Sequence, residues 1–104
     1  MHVYVFTQTF PSTEKFGLTN QMRRAAIGVV SNIAEGAGRT SPKDQAHFYQ
    51  MAYSGCFELL NQAIISSDLS YLELAELSDC RKELERISNK LNALRKTCLN
   101  AKVA

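Results

Sequence analysis

Apolar residues recur every three or four positions along three long stretches of this 104-residue chain. In the first stretch the repeating positions are Leu18, Met22, Ala25, Val29 and Ile33. This spacing predicts an amphipathic α-helix over residues 18–35. The second stretch predicts a helix over residues 42–67, with an apolar face made of Phe48, Met51, Ala52, Cys56, Leu59, Leu60, Ala63 and Ile64.

The third stretch has the most regular spacing. Its apolar positions alternate steps of three and four residues, which is a heptad seam held over three repeats. The positions are Leu77, Cys80, Leu84, Ile87, Leu91, Leu94 and Cys98. A dimeric coiled coil and an intramolecular bundle both use such a seam. The two other amphipathic helices need partners, so the pattern favours an antiparallel bundle with short connections.

Polar residues, prolines and glycines predict where these helices begin and end. Thr19 suits the first cap, and Ser41 followed by Pro42 suits the start of the second helix. Gly36 and Gly38 suit a helix end in the left-handed conformation. The stretch SSDLSY, residues 66–71, separates the last two helices.

The N-terminal segment VYVFTQTF, residues 3–10, is ambiguous because its residues favour strands. An isolated strand would have nothing to pair with, so we interpret the segment as the end of a helix. Together the patterns predict an all-α fold in a single domain, residues 1–104.

Composition adds limits on location and chemistry. No apolar run approaches the ~18 residues of a membrane span, and the N-terminus lacks the features of a signal peptide. The three cysteines are odd in number, and Cys80 and Cys98 would lie about 27 Å apart on one helix, beyond disulfide reach. We therefore expect reduced thiols in a cytoplasmic protein without a membrane partner.

The formal net charge of +2 hides a block pattern. Residues 44–79 carry six acids and no Lys or Arg, whereas seven Lys or Arg follow from Arg81 onward. Such blocks can form oppositely charged faces for self-association or for a polyanion, or they can be ordinary solvated faces. The candidate nucleic-acid or partner-binding residues are Arg23, Arg39, Lys43, Arg81, Arg95 and Lys102.

The stretch NIAEGAGR, residues 32–39, contains two glycines that suggest a phosphate loop. A phosphate loop places its glycines before a helix, where free N–H groups point at the anion. Here the glycines follow a predicted helix, and no Gly-Lys-Ser/Thr motif follows them. The pattern therefore favours a helix end over a nucleotide site.

Polar residues also repeat along one side of the first long helix and on the next one. We expect them to form a buried hydrogen-bonded network, because buried polar groups must be paired. The members are Arg24, Asn32, Glu35, Glu58 and Gln62. As a catalytic pair, Glu35 and Glu58 would need a nucleophile or a metal, and the sequence places no His or Asp at a matching position. We expect no enzymatic activity, no cofactor and no metal.

The run FGLTNQMRRAAIGVVSNIAEGAGR, followed by FYQMAYSGCFELLNQAIISSDLSYL, resembles the four-helix bundle protein family found among ribosomal-RNA intervening-sequence proteins. The resemblance extends from about Phe10 to Leu94. It is carried by Gln21, by residues 23–26 and 32–36, and by the Glu58–Leu59 pair with Gln62.

The resemblance implies an up-and-down four-helix bundle that forms ring-like homopentamers. Similar proteins include accessory proteins of diversity-generating retroelements, which partner a reverse transcriptase and bind nucleic acid through a basic surface. The chain departs from the family's sequence pattern at two places. Val30 stands where the family usually has proline, and Ser54–Gly55 reverses the family's usual Gly–Ser order. Only nine residues precede Phe10–Pro11, so we expect a shortened first helix.

Three functions compete at this level. The first is an oligomeric scaffold that binds RNA or DNA, or a nucleic-acid enzyme such as a reverse transcriptase. The second is a pure protein–protein assembly module, in which the charge blocks serve subunit contacts. The third is a small enzyme that uses Glu35 and Glu58, and the sequence favours it least. A pI of about 8.5 is only mildly basic for the first function.

Overall fold

A computed structural model of the chain describes residues 3–14 and 17–101, without the side chains of Tyr4 and Val5. Three long helices dominate it: α2 (Leu18–Gly38), α3 (Pro42–Asp68) and α4 (Leu74–Asn100). They are preceded by a five-residue helix, α1 (Val3–Thr7), and a 3-10 turn (Ser12–Glu14). The predicted all-α class is confirmed, and α2 continues through Val30 without a break.

Side chains cap the starts of the long helices. Ser41 Oγ accepts a hydrogen bond from the Asp44 N–H at 3.4 Å, with Pro42 at the first helical position, as predicted. Thr19 is not the cap of α2, because it lies one residue inside the helix and is buried. Glu14 Oε1 instead accepts from the Leu18 N–H at 3.3 Å.

The end of α2 differs from the prediction. The helix includes Gly36 and Gly38, and no glycine in the described residues has a positive φ. Arg39 ends the helix in an extended conformation, and its N–H donates to the Gly36 carbonyl at 3.2 Å. Gly36 is buried, and a Cβ there would lie 2.8 Å from Tyr49 Cε1. Close packing on α3, and not a turn, therefore accounts for this glycine.

Helix α3 is the central element, and α2 and α4 pack antiparallel against it. At one end of the molecule, Ser66 Oγ donates to Met22 Sδ at 3.5 Å. At the other end, the Cys98 thiol donates to Gln45 Oε1 at 3.8 Å. The core comprises Val3, Phe10, Leu18, Met22, Ala26, Val29, Tyr49, Ala52, Cys56, Leu59, Ala63, Leu72, Cys80, Leu84 and Leu91.

The expected four-helix bundle is not what the described residues form. Five residues make α1 about 7–8 Å long, whereas the 27 residues of α3 span about 40 Å. Helix α1 docks near the start of α2, where Arg23 Nε donates to Thr7 Oγ1 at 2.9 Å. Further along α2, Ile27 and Val30 are 52% and 60% exposed. The expected short first helix is present as α1, but α1 is too short to act as a fourth member, so the bundle in the described residues has three long helices.

None of the helices in the described ranges combines the length and apolar character needed to cross a membrane.

Candidate functional site

A polar groove of about 560 Å³ runs between α2 and α3. The polar stripe predicted from the sequence forms much of its α2 wall, and Glu58 faces it from α3. Its lining residues are Gln21, Arg24, Ala25, Gly28, Val29, Asn32, Gln50, Met51, Ser54, Gly55 and Glu58. Arg24, Asn32 and Glu58, which the sequence pattern grouped together, therefore line one groove.

The expected buried network is wrong, however. Arg24, Glu35 and Glu58 are exposed, and Asn32 is half-buried. Among the described residues, Arg24 makes no hydrogen bond or ion pair with either carboxylate. The stripe lies at the edge of the α2–α3 interface, next to the buried row of Met22, Ala26 and Val29, so water reaches its side chains.

Gln62 is the buried member of the expected network. Its Nε2 donates to Glu58 Oε1 at 3.5 Å, at the long limit for a hydrogen bond. Its Oε1 is buried and has no partner within the described part of the chain. An unpaired buried acceptor costs about 1–3 kcal/mol, so the Gln62 side chain has an unmet requirement for a donor.

Glu35 pairs with Arg39 instead of Arg24. Arg39 Nη2 donates to Glu35 Oε2 at 3.0 Å, one helical turn away, and the two side chains are 46% and 57% exposed. The carboxylate of NIAEGAGR therefore faces solvent and not the protein interior. Arg39 also stacks over the Phe48 ring, with its Cζ 4.7 Å from the ring centroid.

We therefore expect Glu35→Ala to change the free energy of unfolding by only about 0.3–0.5 kcal/mol, because exposed pairs one turn apart on a helix contribute little. Urea unfolding followed by circular dichroism measures this difference. Gln50→Ala is a matched control, since Gln50 is also an exposed helical residue with one side-chain bond one turn away, to Ser54. A loss of several kcal/mol for Glu35→Ala would mean that the carboxylate is buried in the folded protein.

The predicted basic residues occupy different environments. Lys43 and Arg81 are exposed, and Arg23 is half-buried against α1. Arg95 is half-buried: its Nη2 donates to Asn92 Oδ1 at 2.9 Å, and its Nε is buried without a partner in the described chain. Lys102 lies outside the described residues.

The sequence analysis did not single out four further basic residues of α4. Lys82, Arg86 and Lys90 follow one another at four-residue steps, and all three are exposed, as is Lys96. The four-residue spacing of the first three, which is the same helical period that predicted the apolar seam, could have identified them in the sequence. These four residues lie away from the flank of the seam that carries Arg81 and Arg95.

Because the helices pack antiparallel, many cations lie at one end of the molecule and many carboxylates lie at the other. The molecule is 54 Å long. The basic end, formed by the α2–α3 turn and the second half of α4 (residues 88–100), carries Arg39, Lys43, Lys90, Arg95 and Lys96. The acidic end, at the α3–α4 turn and the start of α2, carries Glu14, Asp68, Glu73, Glu76 and Asp79. Glu35 and Asp44 are the acidic residues of the basic end.

The three cysteines are free thiols. Burial raises the pKa of Cys56, and burial together with the nearby carboxylates of Glu83, Asp79 and Glu76 raises the pKa of Cys80 to about 11. Both thiols therefore stay protonated and poorly nucleophilic at neutral pH. In the described ranges, no three His, Cys, Asp or Glu side chains lie close enough to hold a metal ion.

The sequence profile of the protein family described as "23S rRNA-intervening sequence protein" matches residues 1–93 of the chain. The match confirms the resemblance inferred from the sequence and covers the α2–α3 groove and most of α4. The comparison with curated proteins finds no relative.

Proposed function

Because this chain belongs to the 23S rRNA-intervening sequence protein family, we propose that it is a non-enzymatic, cytoplasmic scaffold that assembles with copies of itself and binds nucleic acid. A ring-like homopentamer is the proposed assembly. A nucleic-acid enzyme such as a reverse transcriptase is the proposed protein partner. The observation that carries nucleic-acid binding is the grouping of exposed Lys and Arg on α4 and on the α2–α3 turn, because contacts with phosphates supply most of the affinity for nucleic acid.

Self-assembly is supported by apolar residues that the single chain leaves uncovered. Large apolar side chains are exposed on all three long helices, namely Ile27, Val30, Met51, Phe57, Ile65, Leu74, Leu94 and Leu99, and at Leu69 just after α3. A short first helix cannot cover the full length of α2, and contiguous apolar surface commonly marks a protein contact. In an assembly, a four-helix arrangement could be completed between chains.

Repetition of the basic residues strengthens binding in an assembly. The charge on one chain is modest, but each subunit of a ring adds its own phosphate contacts, and linked contacts raise the overall affinity. The alternative function is an assembly module that does not bind nucleic acid. The exposed apolar residues favour it independently of the charges.

Two measurements test the proposal. Light scattering after size exclusion gives the mass in solution, and we expect a multiple of the 11.6 kDa chain, with five copies as the proposed number. Fluorescence anisotropy of a short labelled RNA, titrated at several salt concentrations, measures binding, and we expect affinity to fall steeply with salt. A monomeric mass contradicts the scaffold. An oligomer that does not bind RNA or DNA at low salt contradicts nucleic-acid binding and supports the alternative function, an assembly module.

A further inference from the structure

We infer that the basic end of the molecule, and not the first half of α4 (residues 74–87), is where the nucleic-acid backbone binds. The inference rests on the proposed function and specifies which of its basic residues contact phosphate. It assigns that contact to Lys43, Lys90 and Lys96, with Arg39 and Arg95 beside them. It excludes Arg23 and Arg81, which the sequence analysis had grouped with them.

Three helices meet at the basic end, and specific contacts fix their positions. Gly36 brings α2 against Tyr49 of α3, and the Cys98–Gln45 contact holds the last turns of α4 beside the first turns of α3. Cations that are far apart in the sequence therefore share one end of a packed structure. Packed helices hold the backbones that carry these cations in a fixed arrangement, so only the side chains have to be ordered on binding.

The lysines of the basic end are available to a ligand. Lys43, Lys90 and Lys96 are exposed, and within the described residues none makes a hydrogen bond or an ion pair. Glu35 is already neutralised by Arg39, which leaves Asp44 as the competing carboxylate at this end. Phosphate therefore meets unpaired ammonium groups.

The carboxylates of the acidic end do not cancel the attraction of the basic end for phosphate. The molecule is 54 Å long, whereas charges in 0.1–0.15 M salt are screened over about 8–10 Å. A phosphate backbone near Lys43 therefore experiences the local cations and little of the distant carboxylates. The same separation disfavours binding along the whole length of the molecule, because the backbone would then approach Asp68, Glu73 and Asp79.

The first half of α4 (residues 74–87) attracts phosphate less strongly than the second half, which contains no Asp or Glu. Arg81, Lys82 and Arg86 are exposed, but Glu83 and Glu85 are interleaved with them in the sequence. These carboxylates lie within one helical turn of the cations and offset much of their attraction for phosphate. This stretch therefore provides a control with the same number of cations and a different expected outcome.

Two charge-reversal variants test the assignment. The end variant carries Lys43→Glu, Lys90→Glu and Lys96→Glu, and the control carries Arg81→Glu, Lys82→Glu and Arg86→Glu. The two variants change the formal charge equally and alter only exposed positions. Binding is measured by anisotropy with the labelled RNA over a salt series, the fold by circular dichroism and the mass by light scattering.

We expect the end variant to bind RNA at least about tenfold more weakly at low salt, and the slope of log affinity against log salt to fall by about 2–3, the value for three lost phosphate contacts. The control should stay within about threefold of the wild type. Replacement of the same three lysines with glutamine gives a milder variant, in case charge reversal disturbs the fold. It should show the same order of effects.

Other outcomes overturn the inference. An equal or larger loss in the control places the contact on the first half of α4. If the end variant loses oligomer mass but keeps its RNA affinity, the basic end contacts the acidic end of a neighbouring copy. A wild-type protein that does not bind nucleic acid refutes the proposed nucleic-acid function itself, and this result is distinct from both of the others.

Discussion

Truncation of Leu59 to alanine is expected to lower the free energy of unfolding by about 2–5 kcal/mol. Leu59 is 1% exposed and lies near the middle of α3, the helix on which both α2 and α4 pack. Removal of its branched end leaves a cavity in the core. Domains of this size have about 5–15 kcal/mol of stability in total, so the variant loses a large part of it.

The measurement is urea unfolding followed by circular dichroism, at several protein concentrations. Leu74→Ala is the matched control, because Leu74 is a leucine of α4 with 79% of its surface exposed. Its unfolding free energy should change by less than about 0.5 kcal/mol. If Leu59→Ala unfolds at the same urea concentration as the wild type, Leu59 is not buried, and the central position of α3 is refuted. A concentration-dependent loss in the control would instead indicate that Leu74 is buried between chains.

The long helices were predictable because their signals are local. Apolar residues at three- and four-residue steps report the helical period directly, and Ser41–Pro42 carries a helix start in two adjacent residues. The break before α4 was predicted near residues 66–71, where the structure has it, but the cap that starts α4 was not predicted. Glu73 and Glu76 form a reciprocal capping box there, but glutamate is not among the residues preferred at that position, so the signal did not stand out.

Features that depend on how helices pack were not predictable in the same way. A stripe at helical spacing shows that Arg24 and Asn32 share one side of α2, but it does not show whether another helix covers that side. Gly36 had the right residue type for a helix end, and only the position of Tyr49 reveals its packing role. The expected fourth helix came from family resemblance, and α1 is too short to provide it.

The candidate site was predictable only in part. The sequence showed the blocks of charge, and it identified Arg39, Lys43 and Arg95 as candidates. It did not show that these residues lie at one end of the molecule, because their proximity depends on the antiparallel packing of α3 and α4. Lys90 and Lys96 join the site through that topology.

Glycine-to-alanine substitution is expected to have opposite effects at two positions of the α2–α3 interface. A Cβ on Gly55 would lie 2.8 Å from Val29 Cγ2, a buried atom that packing holds in place. A Cβ on Gly28 would have no described atom within 4 Å. Alanine in a helix is more favourable than glycine by about 0.5–1 kcal/mol, and this gain should be realised at Gly28 alone.

We therefore expect Gly28→Ala to raise the free energy of unfolding by about 0.5–1 kcal/mol, and Gly55→Ala to lower it by about 1–2 kcal/mol, since overpacking outweighs the helical gain. The two substitutions add the same methyl group, so intrinsic helix propensity cannot account for a difference in sign. Val29→Ala removes the atom that the new methyl meets. The double variant with Gly55→Ala should consequently be more stable than the two single effects predict, with a coupling of about 0.5–3 kcal/mol. Additive effects, or a Gly55→Ala variant as stable as the wild type, would show that α2 and α3 do not approach closely at this point.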